Sequence, residues 1–262
     1  MKTLRRIPGV LALAVVSASA FGADVHGPAN VEDLRYSWRI KGGIRFIAGL
    51  MFPTSGTGSF KTTYPKAGEA INSELLITSP AGKSGGFYLY ESQMDAAGDK
   101  TLMTYTGYEW GKKARNERTH FDYTKGLARI NRQNPEESAY RVKKLPQAEM
   151  RDILTAIYYL RQHASEIRKP VATSIYTDGK EYPVIFQPAE RRAFTLEKAK
   201  VTATAFEIID APGGKKWSGG VKVWLTDDAR RIPVRIEIQQ SVAALQLDLQ
   251  SIASSGFELA SN

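Results

Sequence analysis

The chain has 262 residues, no cysteine, three histidines and a formal charge of +9. Without cysteine there can be no disulfide, thiolate metal site, cysteine nucleophile or lipid attached at a processed amino-terminal cysteine. Without Lys2, Arg5 and Arg6 the 36 basic residues become 33 against 27 acidic, a formal +6 that suits anionic envelope surfaces and does not imply nucleic acid.

Lys2, Arg5 and Arg6 precede an apolar run from Ile7 to about Ala18, and Ala18-Ser19-Ala20 offers small residues for a peptidase. This predicts a signal peptide over 1–20, with a cut after Gly22 nearly as good, and export to the periplasm. The apolar run is shorter than the roughly 20 residues needed to span a membrane. Residues 21–33 read as a disordered lead-in, and 34–253 as a single β-rich domain with no linker-like stretch.

Leu34, Tyr36, Trp38 and Ile40 alternate with Arg35, Ser37, Arg39 and Lys41, which is the pattern of a half-buried strand. Gly42-Gly43 suggests a hairpin turn, and Ile44–Phe52 a returning strand apolar on both faces. Further strands are predicted at Ser59–Tyr64, Ala70–Thr78, Phe87–Ser92, Thr101–Trp110, Ala114–Tyr123 and Leu127–Arg132. Met150, Ile153, Leu154, Ile157, Leu160, Ala164 and Ile167 recur at helical spacing, predicting one helix over Gln147–Arg168, about 33 Å long at 1.5 Å per residue. Val171–Tyr176 and Glu181–Phe186 flank Asp178-Gly179, a hairpin signal, and Ala193–Leu196 and Val201–Ile209 follow. Gly219–Leu249 spells three closing strands with a polar turn at Thr226–Arg230. The fold expected is mainly β: a curved antiparallel sheet or open half-barrel with one long helix packed across it.

Gly82-Lys83-Ser84-Gly85-Gly86 matches the G-x-S-x-G elbow of serine hydrolases. That elbow needs a helix after the serine, and Phe87-Tyr88-Leu89-Tyr90 reads as a strand. The phosphate-binding loop is excluded because Ile77 stands where its first glycine belongs. His26, His120 and His163 show no metal-ligand spacing. Asp227-Asp228 and Glu136-Glu137 are adjacent pairs, which point to opposite faces of a strand, and turn formation accounts for the aspartates. The reading is therefore no enzyme, no catalytic residues, no metal and no cofactor.

Lys112, Lys113, Arg115 and Arg118 follow Tyr108 and Trp110, a basic and aromatic cluster that could meet a lipid headgroup or form an ordinary solvated strand face. A bent sheet with a helix over its mouth can enclose an apolar cavity. Phe46, Leu50, Phe52, Ile153 and Ile157 would line it, with Lys112, Lys113 and Arg115 at the headgroup.

The Tyr36–Gly49 hairpin, Phe121-Asp122-Tyr123 before Gly126, Asp152-Ile153-Leu154 with Tyr159-Leu160-Arg161, and above all Val223-Trp224-Leu225-Thr226-Asp227-Asp228 followed by Arg231-Ile232-Pro233-Val234 carry a resemblance. The chain resembles the bacterial domain-of-unknown-function 3108 family of exported proteins over most of its mature length. That resemblance implies an exported, mostly antiparallel β protein and brings no activity or catalytic residues with it. In strand-and-helix plan it is similar to open-barrel lipoprotein carriers and lipid-sensing regulators of the bacterial envelope. The function expected is a periplasmic binding or chaperone-like protein holding an acyl chain or a lipidated client, with membrane-surface contact possible. The alternatives are an envelope interaction protein that docks a partner through its sheet edges, and a hydrolase using Ser84.

Overall fold

The structure is a computed structural model that describes residues 30–42, 53–64, 68–80, 86–110, 113–134, 138–145, 149–177, 179–217, 219–240 and 244–253. The expected signal peptide, Gly43, the Ile44–Phe52 strand and Ser84 lie outside these residues.

Among the described residues, fourteen strands form one antiparallel sheet. The chain enters at its middle with β1 (Asn30–Lys41) and winds outward through β2 (Ser55–Tyr64), β3 (Ile71–Thr78), β4 (Gly86–Met94), β5 (Thr101–Trp110), β6 (Lys113–Asp122) and β7 (Leu127–Gln133) to the edge strand β8 (Ser138–Lys144). Helix α1 (Ile153–His163) carries it to the other edge, β9 (Val171–Thr177). It then winds back through β10 (Lys180–Leu196), β11 (Ala199–Asp210), β12 (Gly219–Thr226) and β13 (Pro233–Gln240) to β14 (Ala244–Ile252). Pairing β14 with β1 joins the two meanders, so the sheet is curved and open, with its first and last strands side by side.

Period-two alternation decides which face each strand buries. Leu34, Tyr36 and Trp38 of β1, Val221, Val223 and Leu225 of β12, and Val234 and Ile236 of β13 all enter one continuous core. The Tyr36 hydroxyl donates to the Pro233 carbonyl at 2.6 Å, satisfying a polar tip that would otherwise be stranded. On the opposite face, Arg39 and Arg235 both pair with Asp248, and Lys222 pairs with Glu190 and Glu207. Trp224 points the same way yet stays buried, because the Phe194 ring packs edge-on against it at 5.2 Å.

The helix departs from its expected length. It spans 11 residues, about 16 Å at 1.5 Å per residue, rather than Gln147–Arg168. Asp152 ends it at the front by accepting from the Thr155 N–H at 2.9 Å. Before that cap the backbone runs extended: Thr101 N–H donates to Met150 O, and Tyr176 N–H to Arg151 O. Met150 is buried among Phe121, Ala128, Leu145 and Tyr176, so its apolar side chain reflects a core contact outside the helix. Leu154, Ile157 and Leu160 form the buried stripe that packs against the sheet.

Three other elements also differ from the expected ones. β1 begins at Asn30, inside the expected lead-in, because Asn30–Asp33 extend the pairing with Tyr64–Lys61. β8 was not expected as a strand: its apolar residues Tyr140 and Val142 are exposed, so no buried face marks it. Glu181–Phe186 and Ala193–Leu196 are halves of one 17-residue strand whose register with β11 shifts between Pro188 and Arg191. A bulge lets one strand bend without ending, which a pattern search reads as two.

Candidate binding cleft

The sheet curls until the β9–β10 hairpin approaches the concave face of β4–β8. Ile175 and Tyr176 point to opposite sides of β9 and both are buried, so this edge strand is covered on both faces. Ile175 enters the main core, while Tyr176 meets Phe121 of β6 edge-on with ring centres 5.0 Å apart. Next in the hairpin, Gly179 sits at φ +69°, and its carbonyl accepts from Lys143 Nζ of β8 at 2.7 Å. The left-handed backbone favours glycine here, and a Cβ would lie 2.9 Å from that Nζ and displace it.

A cleft of about 230 Å³ opens between these surfaces. The pairing registers assemble its sheet wall in rows. Tyr90, Thr106, Glu117 and Arg132 stand opposite one another across β4, β5, β6 and β7, and Tyr88, Tyr108 and Arg115 form the next row. Thr104 and Thr119 add hydroxyls, and Tyr176, Thr177 and Gly179 make the facing wall. The Tyr88 and Tyr108 rings stack at 6.3 Å. A small adjoining recess is lined by Glu117, Ile130, Arg132, Ala139, Arg141, Lys143 and Gly179.

Glu117 bridges two cations, with Arg115 at 2.7 Å and Arg132 at 2.6 Å. Burial, with the Glu117 charge adding to it, pushes the Tyr176 hydroxyl up to about 12, which keeps it protonated.

Arg115 is thus the basic residue of the sequence reading that the structure places in the cleft. Lys113 opens β6 beside it. Ile153 is half-buried at the start of α1, and Ile157, one turn on, is packed in the core at 1% exposure. Phe46, Leu50, Phe52 and Lys112 lie outside the described residues. Glu117, Arg132 and Tyr176 were not singled out in the sequence. The alternation Arg115, Glu117, Thr119 in β6 placed three polar groups on one face, and that was the available signal.

A second polar cluster has a structural role. Ser92 Oγ donates to Asp152 Oδ2 at 2.5 Å, and Thr101 and Thr155 hydroxyls complete the set. All four residues are at most 1% exposed, so no substrate reaches them. The cluster docks the helix cap onto β4 and β5, and burial raises the Asp152 carboxyl to about 6. His120 is exposed on β6 and His163 pairs with Glu166 at the surface. Among the described residues no group of three His, Asp or Glu could hold a metal ion.

The family described as "Protein of unknown function (DUF3108)" matches residues 44–250, from before β2 into β14. The chain belongs to the DUF3108 family. A comparison with curated proteins finds no match. Among solved structures, this DUF3108 protein is similar to a β-barrel-like protein of DUF1849 from Brucella abortus, at TM-score 0.58 and 9% identity, covering 87% of this chain and 99% of that one. At that identity the likeness is one of fold. The lipoprotein LppX of Mycobacterium tuberculosis also matches, with 12% identity over 84% of this chain and 85% of that one. Its TM-score of 0.24 is too low for the overlay to carry an argument.

Proposed function

We propose that this DUF3108 protein is a non-enzymatic protein of the bacterial periplasm that holds a lipid, or the lipidated end of a client protein, in the cleft between β4–β8 and the β9–β10 hairpin. One observation carries the reading: an open sheet curls back on itself around a 230 Å³ cleft that sets Tyr88, Tyr90, Tyr108 and Tyr176 among threonines, Arg115 and Glu117. Tyrosine rings offer broad apolar faces with a polar tip, a wall suited to a ligand with both an apolar chain and a polar end. The basic, apolar and small-residue pattern of residues 1–20 supports export.

The test is native mass spectrometry of the mature protein purified from its own envelope, followed by solvent extraction. A lipid or fatty acid at one per chain is the expected result. A folded, monodisperse protein that carries none would overturn the reading.

A second reading is favoured by β8. This edge strand exposes Tyr140 and Val142, and an extended segment of another envelope protein could pair along it. Crosslinking from position 140 would identify that partner.

A further inference from the structure

We infer that the wall where β6 meets the β9–β10 hairpin is an oxyanion site, seating a phosphate or carboxylate group against the Tyr176 hydroxyl and the Arg115 and Arg132 guanidinium groups. The inference rests on the reading of the cleft as a lipid site and names the head such a lipid carries.

Tyr176 is 5% exposed and lines the cleft, and its hydroxyl has no hydrogen-bond partner among the described residues. A buried O–H without an acceptor is costly, and a ligand oxygen placed there relieves that cost. Packing against Phe121 holds the ring, and its raised pKa leaves the hydroxyl a donor at neutral pH. Arg115 and Arg132 both pair with Glu117, and Arg141 and Lys143 line the recess behind it. The described lining residues of cleft and recess therefore include four cations and one carboxylate. Guanidinium groups bind phosphate and carboxylate through forked N–H pairs. An alcohol head would satisfy Tyr176 and make no use of the forked guanidinium donors.

The experiment is calorimetric titration of the mature protein with dodecyl phosphate, dodecanol and inorganic phosphate, repeated with Tyr176→Phe. Dodecyl phosphate should bind wild type, and the variant should bind it about tenfold more weakly or worse, as expected for a lost bond to a charged group. The variant should melt no lower than wild type, because phenylalanine keeps the Phe121 contact and removes an unmatched hydroxyl. A purely structural role for Tyr176 would show the reverse pattern.

Equal binding of dodecyl phosphate by wild type and Tyr176→Phe overturns the oxyanion site. Dodecanol binding as tightly as dodecyl phosphate also overturns it, while leaving the lipid reading intact. Tyr176-dependent binding of inorganic phosphate, with no gain from the dodecyl chain, upholds the oxyanion site and removes the lipid reading. Failure of all three probes to bind removes both.

Discussion

Arg161 of α1 and Glu32 of β1 meet fork to fork, Nη1 on Oε2 at 2.7 Å and Nη2 on Oε1 at 2.9 Å, with side chains only 7% and 12% exposed. The same guanidinium donates from Nε to the Arg231 carbonyl and from Nη2 to that of Arg230, in the turn between β12 and β13. One side chain thus ties the helix to the first strand and to a turn of the returning meander.

Removing one partner of so buried a pair strands the other, so Glu32→Ala should destabilise the protein by about 3–5 kcal/mol. Replacing both, as Glu32→Ala with Arg161→Met, should recover much of that loss. Urea unfolding of the three variants checks this. A Glu32→Ala protein within about 0.5 kcal/mol of wild type would show that the pair contributes little, as exposed pairs do.

Asp152 sets a pH dependence whose sign follows from its raised pKa. The folded state holds the proton up to about pH 6, while the unfolded chain releases it near the ordinary carboxylate value of 3.8. Its contribution is therefore fully present below that value, is lost as pH rises to about 6, and is constant above. Lowered carboxyls such as Asp228 and Glu207 act in the opposite sense, losing stability as pH falls, so the Asp152 effect must be isolated by difference. Relative to Asp152→Asn, wild type should lose about 2 kcal/mol between pH 4 and 6.5. A flat difference across that window would rule out the linkage.

Gly98, in the turn between β4 and β5, holds φ +73°, and a Cβ there would lie 2.2 Å from the Tyr158 ring of α1. Alanine would carry both the left-handed backbone penalty and a clash against a buried ring. Gly98→Ala should cost about 2–4 kcal/mol in thermal or urea unfolding. A cost below about 1 kcal/mol would mean that the turn and helix are not closely docked.

Ile157 tests whether core and cleft are separate. At 1% exposure it sits within the core and does not line the cleft. Ile157→Ala should lose about 2–5 kcal/mol of stability, yet bind dodecyl phosphate normally while folded. A variant of near wild-type stability that fails to bind would place the ligand against the helix instead.

Much of the sheet was legible because its strands bury one face and wet the other. β1 and β12 declare themselves by alternation, and Asp178-Gly179 marked the hairpin between β9 and β10. The helix was overextended because Met150 and Ile167 are buried beyond its ends, and burial, not helicity, is what apolar spacing records. β8 escaped notice for the converse reason, as an edge strand with wet faces has no hydrophobic signature. Tyr176 could not be singled out at all: its neighbour Phe121 is 55 positions earlier, and only the curl of the sheet brings the two rings together.

The seam between β8 and β9 differs in kind from every other strand boundary. Among the described residues, thirteen neighbouring pairs in the sheet are laced by backbone ladders, whereas β8 and β9 are its two ends and are not paired with each other. What spans the gap is one isolated backbone bridge, Tyr176 N–H to Arg151 O, with the Lys143–Gly179 bond and the Phe121–Tyr176 rings. A scroll fastened in this way could loosen or tighten by exchanging that bridge and a few side-chain contacts, leaving its strand ladders whole. On the proposed reading of the cleft, ligands of different girth would then meet one wall in an adjustable clasp.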